Sequence, residues 1–299
     1  MKTTTMTLMI ALAAMTANAQ TADQTENCKQ ITVGDVTMTV NPEKGGKILS
    51  LKYKDQEVIS QSPRPEAFGS TFWTSPQKEW NWPPVQEFDK QPYTIEEHDG
   101  RLILTSQPSA RLKYRVRKEF ATDAKDKAIV VTYSIINESD ETRQVAPWEI
   151  TRVPNDGGVI FFDAPLDGVT PAGVLSFKSE HGALWYQPDE APQNRKINAD
   201  GKGWYAYCNN GLLLVKQFAD LPDGKTPPPV GGGREGAPAP DEAEIQVYVN
   251  RGKTFIELEA QGPYTTLKPH EQLSWTVRWT LRPITGEARP SLELLKMVR

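Results

Sequence analysis

Ile31-Thr32-Val33-Gly34-Asp35-Val36-Thr37-Met38-Thr39-Val40, followed by Gly45-Gly46 and Lys47-Ile48-Leu49-Ser50-Leu51-Lys52-Tyr53, decides the fold class of this chain. Apolar residues at 31, 33, 38 and 40 alternate with polar ones, the period of a half-buried strand. The glycine pair is a turn, and the next run alternates again before Asp55-Gln56 and Glu57-Val58-Ile59. The stretch predicts a β-meander.

The same pattern continues outward. Residues 93–97, 101–106, 112–120 and 128–137 read as strands, with His98-Asp99-Gly100 and Asn137-Glu138-Ser139-Asp140 as turns between them. Residues 145–153, 159–162, 203–208, 212–218, 244–249, 255–260 and 273–281 complete the set. Only residues 290–297 carry a helical pattern. Many short strands at regular spacing predict an all-β sandwich or barrel. There is no internal repeat and no clear linker, so residues 20–299 are read as a single domain. Residues 222–241, with Pro-Pro-Pro, Gly-Gly-Gly and Pro-Ala-Pro, predict a long irregular loop, disordered or a mobile lid.

Residues 1–19 are predicted to be a secretory signal peptide. Lys2 gives a positive start, residues 6–14 an apolar run, and Ala17-Asn18-Ala19 a small-residue cleavage site before Gln20. That run is too short for a membrane span, and no later segment reaches the length of one. Export is the expectation, to the periplasm if the host is a Gram-negative bacterium. A net charge of −4 leaves no basic footprint for nucleic acid. Cys28 and Cys208 are the only cysteines. In an oxidising compartment they can form one disulfide, and the alternative is two reduced thiols. Three scattered histidines offer no metal site.

Three of the eight tryptophans fall within ten residues, in Phe72-Trp73-Thr74-Ser75-Pro76-Gln77-Lys78-Glu79-Trp80-Asn81-Trp82-Pro83-Pro84. Proline lacks a ladder donor, so this segment is predicted to be a loop carrying flat aromatic faces. Indole faces at 73, 80 and 82 beside Gln77 suit a ligand with C–H faces and hydroxyl edges, which describes a sugar. The competing reading folds these rings over one end of the β-core. In the late strand, alternation puts Ile256, Leu258 and Ala260 on one face and Phe255, Glu257, Glu259 and Gln261 on the other. The second face is either ordinary solvated sheet or the floor of a site with a base. Lys216, within Leu212-Leu213-Leu214-Val215-Lys216, marks a strand end or points into a pocket. Trp185, Tyr186, Trp204, Tyr205, Trp275 and Trp279 read as core, and Arg117 and Glu119 share a face and can pair with each other.

Leu258-Glu259-Ala260-Gln261-Gly262-Pro263 resembles the Leu-Glu-x-Gln…Pro stretch of aldose 1-epimerases (galactose mutarotases). Gly45-Gly46-Lys47-Ile48-Leu49-Ser50-Leu51 is similar to the first hairpin of that superfamily. Gly69-x-x-x-Trp73-x-x-Pro76-Gln77 is similar to a loop of its hexose-phosphate epimerases, and Lys268-Pro269-His270-Glu271 to its Pro-Gly-Glu turn before the last strand. The Trp-Thr-Ser-Pro-Gln…Trp-x-Trp-Pro-Pro run is similar to a bacterial branch of it. The resemblance implies a β-supersandwich of the galactose mutarotase-like type that binds a small sugar or an oligosaccharide. It implies acid–base ring opening with Glu259 as base and no cofactor. The family's acid is a His in an Asn-His-x-Tyr-Phe setting. The matching region here, Ala146-Pro147-Trp148-Glu149-Ile150-Thr151-Arg152-Val153, has none, and Glu149 is the nearest replacement. Trp73, Trp80, Trp82, Gln77, Arg152 and Lys216 are the expected sugar-binding residues. Alternation sets Arg152 and Glu149 on opposite faces, so a bulge would be needed for both to reach one pocket. The runner-up is a non-catalytic carbohydrate-binding protein on the same scaffold. A polysaccharide-degrading enzyme ranks last, because the helical domain such enzymes usually carry is missing.

Overall fold

The computed structural model describes residues 27–62, 68–222 and 235–298. The expected signal peptide and the greater part of the 222–241 loop lie outside the described residues. The strands are β1 Lys29–Val33, β2 Val36–Asn41, β3 Lys47–Tyr53, β4 Gln56–Glu57, β5 Ser70–Ser75, β6 Thr94–His98, β7 Arg101–Thr105, β8 Tyr114–Asp123, β9 Ala128–Asn137 and β10 Arg143–Pro154. They continue as β11 Val159–Phe162, β12 Lys178–Glu180, β13 Ala183–Tyr186, β14 Arg195–Ala199, β15 Trp204–Asn209, β16 Leu212–Gln217, β17 Ile245–Val249, β18 Phe255–Gln261, β19 Thr265–Leu267 and β20 Gln272–Pro283.

These strands form two antiparallel sheets packed face to face. The first runs β1-β2-β3-β5-β10-β18-β17-β14, with β4 on β3 and β19 on β10. The second runs β12-β13-β11-β15-β16-β20-β9-β8-β7-β6. Alternation explains the packing. Leu212 and Leu214 of β16, Tyr133 and Ile135 of β9, and Trp275 and Trp279 of β20 turn inward, against Phe72, Val153, Ile256 and Leu258 of the first sheet. Phe72 stacks on Tyr133 with centroids 4.4 Å apart, a pair worth roughly 0.5–1.5 kcal/mol beyond its area. The opposite residues of the second sheet, among them Phe161, Trp185, Leu213 and Val215, form a smaller cluster. The terminal helix Leu292–Val298 covers it with Leu294, Leu295 and Val298. Among the described residues no helix is long and apolar enough to cross a membrane.

Two expectations change, and the structure decides between the two cysteine readings. Residues 31–40 are two strands, because Gly34 at φ +58° turns the chain between β1 and β2. The tryptophan-rich segment is only half loop. Ser70–Ser75 is an inner strand between β3 and β10, buried at every position. The prolines that argued against a strand all follow Ser75. Cys208 is buried in β15 and Cys28 precedes β1, and they are not disulfide-bonded.

Gly45 and Gly46 have a specific task. Both have positive φ, and a Cβ on Gly45 would lie 2.5 Å from the carbonyl of Asp89. That close approach seats the short helix Gln86–Asp89 against the turn between β2 and β3, and Asp89 then reaches the site described next.

Candidate functional site

The outer face of the first sheet carries a cleft of about 400 Å3. Strand register builds its floor. Lys196 of β14, Tyr248 of β17, Glu257 of β18 and Arg152 of β10 are consecutive cross-strand partners and so share one face. The neighbouring row runs Gln246, Glu259, Ile150 and Thr71, and the next Gln261, Trp148 and Trp73. Phe255, Asn250, Gln77 and Trp82 complete the lining.

Glu259 lies at the bottom, with only 1% of its surface exposed. Its Oε2 accepts hydrogen bonds from Trp148 Nε1 at 2.8 Å and Lys196 Nζ at 3.0 Å. Burial pushes its carboxyl up to about 7, and Glu257 adds to the rise. The Lys196 charge and the Trp148 donor oppose that rise without cancelling it. A carboxyl in this range is a base matched to neutral pH. Arg152 is held by Glu257, Nη2 to Oε1 at 2.9 Å, and donates from Nη1 to Thr71 Oγ1 at 3.3 Å. Its buried Nε has no partner.

The wall is aromatic. Trp73 stands edge-on to Trp148 at 5.4 Å and to Trp82 at 6.2 Å. Its Nε1 donates to Asp89 Oδ1 at 2.8 Å, which fixes the ring. Trp82 is 64% exposed at the rim, an apolar surface left uncovered by the described residues. Trp80 is buried behind the wall. It packs on Trp73 and Trp148 and donates Nε1 to Thr74 O at 2.9 Å. It does not line the cleft.

Of the expected site residues, the structure brings Trp73, Trp82, Gln77, Arg152 and Glu259 together. Glu149 and Lys216 are elsewhere. Both side chains are fully buried between the sheets, where Lys216 Nζ pairs with Glu149 Oε2. Ser70 Oγ, Thr151 Oγ1 and Tyr205 OH also donate to the Glu149 carboxylate. The pleat is the reason. No bulge interrupts β10 between Trp148 and Pro154, so Glu149 and Arg152 stay on opposite faces. Glu149 is therefore not an acid in this cleft, and Lys216 does not contact a ligand there.

The histidines are no substitute. His98, His181 and His270 are exposed and none lines the cleft. Arg117 and Glu119 pair at 3.3 Å, away from the site. Among the described residues no group of three His, Cys, Asp or Glu side chains is placed to hold a metal ion. Sequence reasoning missed Trp148, Lys196, Tyr248 and Asn250. Trp148 was readable, since it shares strand parity with Arg152. Lys196 and Tyr248 were not, because their place depends on which strands pair.

No protein-family model and no curated protein sequence matches the chain. Solved structures do. A proposed aldose 1-epimerase from Escherichia coli K12 aligns with a TM-score of 0.58 at 14% identity, covering 86% of this chain and 99% of the other. A galactose mutarotase-like protein from Lactobacillus casei gives 0.59 at 12%, covering 85% and 100%. One from Clostridium acetobutylicum gives 0.52 at 10%, covering 86% and 95%. At these identities the likeness speaks for architecture alone: the chain has the galactose mutarotase-like β-sandwich fold.

Proposed function

We propose that this chain binds a sugar in the outer-face cleft and accelerates the interconversion of its anomers, with Glu259 as the base. One observation carries the reading. A buried carboxyl poised near neutrality forms the floor of a cleft walled by indole rings, one of them held open to solvent. Trp73 and Trp82 present faces suited to sugar C–H bonds, and Gln77, Asn250 and Arg152 present groups suited to hydroxyls.

In this reading Glu259 takes the proton from the anomeric hydroxyl. The O1–H electrons form the C1=O1 double bond while the C1–O5 electrons leave to O5, which gains a proton. Rotation about C1–C2 turns the other face of the aldehyde toward O5, and reclosure gives the opposite anomer. A proton carrier near pH 7 contributes about 10²–10⁴-fold to such a step. The pattern at residues 1–19 adds export to the proposal, with a free aldose outside the cytoplasm as the substrate.

A binding-only reading has one observation in its favour: neither Glu149 nor any histidine reaches the cleft. The two readings separate by polarimetry of freshly dissolved α-glucose and α-galactose. Acceleration by the wild type, lost in Glu259→Gln, supports the isomerase. Sugar-dependent quenching of tryptophan fluorescence without acceleration supports binding alone.

A further inference from the structure

Ring opening needs a proton delivered to O5 as well as one removed from O1. With Glu149 between the sheets, the donor must come from the side chains that line the cleft. Arg152 is a poor candidate, because a guanidinium does not release its proton and this one is tied to Glu257. Tyr248 donates its hydroxyl to Asn250 Oδ1 at 3.1 Å, and burial makes it a weaker acid than an ordinary tyrosine. Trp148 Nε1 is a donor that keeps its hydrogen. Lys196 remains. Its ammonium has three hydrogens, of which one meets Glu259 Oε2 at 3.0 Å. Nζ sits 5.0 Å from the centroid of the Trp148 ring, and the side chain lines the cleft while 37% exposed.

We propose that Lys196 is the catalytic acid that protonates the ring oxygen, working as one unit with Glu259. The proposal rests on the anomerase reading above. Its geometric basis is that O1 and O5 are both bonded to C1, so the groups serving them must stand side by side. Lys196 and Glu259 do, in direct contact. On opening, Glu259 gains the O1 proton and Lys196 becomes a neutral amine as O5 is protonated. On closure Lys196 takes the O5 proton back as O5 attacks C1, and Glu259 returns its proton to O1. Both groups end as they began, so no proton need be exchanged with solvent. The charged and titratable groups facing Lys196 are Glu257 and Glu259 from β18, Tyr248 from β17 and Arg152 from β10.

The test compares three Lys196 variants in the anomer-equilibration assay, with sugar quenching of tryptophan fluorescence confirming an intact cleft. Lys196→Met is expected to lower kcat by roughly 100-fold or more, with KM within about threefold. Lys196→Arg keeps a positive charge beside Glu259 but cannot release a proton, so it is expected to be as slow as Lys196→Met. Lys196→Ala is expected to recover part of its rate on addition of methylammonium. A near-wild-type rate in Lys196→Arg overturns the assignment and leaves Lys196 as a group that only holds Glu259 in place. A wild type that does not accelerate equilibration overturns the anomerase reading and this assignment with it.

Discussion

Lys216→Met tests the placement of Glu149 most sharply. In the folded chain Lys216 and Glu149 are both fully buried, one on each sheet, and Lys216 Nζ also lies over the Trp279 ring. Met removes the cation with little change in volume. Glu149 keeps its hydroxyl donors from Ser70, Thr151 and Tyr205 but loses its only ionic partner among the described residues. Stranding one charge of a buried pair costs about 3–5 kcal/mol. Against a total stability of about 5–15 kcal/mol, that is about a fifth of the margin at the least. The assay is urea unfolding followed by tryptophan fluorescence at about pH 6, below the value of about 7 to which burial pushes Lys216, so that the pair is charged, with the m-value checked for constancy. Glu149→Gln combined with Lys216→Met leaves a neutral amide whose oxygen still accepts from Ser70 and Thr151, with its NH2 turned to the Tyr205 hydroxyl oxygen. That double variant should recover at least about 2 kcal/mol of the loss. Because neither residue lines the cleft, it should also keep the wild-type sugar response. A Lys216→Met protein within about 1 kcal/mol of wild type would refute the buried-pair reasoning. A folded double variant without a sugar response would return Glu149 to the site.

Other consequences are smaller in scope. Trp82→Ala removes an exposed ring, so stability should move by no more than about 0.5 kcal/mol while sugar affinity falls about tenfold. Isothermal titration checks this, and unchanged affinity removes Trp82 from the binding wall. Lys118 is buried, donates to Gly45 O at 2.6 Å and Gly46 O at 3.1 Å, and is pushed down to about 7 by burial, with Asp89 and Glu149 opposing. Between about pH 7 and 10.5 the unfolded chain holds a proton that the folded chain lacks. Stability should therefore rise with pH across that window, by at most about 1.4 kcal/mol per pH unit from this group. Lys118→Met should flatten the slope in denaturant titrations, and identical slopes would contradict it. At Gly262 an added Cβ would lie 2.7 Å from Trp275 Cγ. Gly262→Ala should cost about 1–3 kcal/mol in thermal unfolding, and an unchanged Tm would show that Trp275 gives way freely.

The fold was legible because alternation is a local signal that survives without knowledge of partners. It placed Ile256, Leu258 and Ala260 inward and Glu257 and Glu259 outward on β18, and the structure agrees. It also separated Arg152 from Glu149, and that parity settles which of them reaches the cleft. What failed was inference from composition. Proline and tryptophan made residues 72–84 look like a loop throughout, although prolines after Ser75 say nothing about Ser70–Ser75. The choice of Glu149 rested on filling a family position and needed a bulge in β10 to bring it to the face of Arg152, which the strand does not have. Lys196, Tyr248 and Asn250 were invisible for a different reason. They come from β14 and the end of β17, and only long-range pairing sets them beside β18.

The most direct test of the account is the pH dependence of anomer equilibration, followed by exchange NMR on an aldose. The account expects acceleration by the wild type that rises as pH climbs through about 7, when the Glu259 carboxyl loses its proton, and no acceleration at any pH from Glu259→Gln. A wild-type rate that is flat across pH 5 to 9, or a Glu259→Gln protein as fast as wild type, would contradict it.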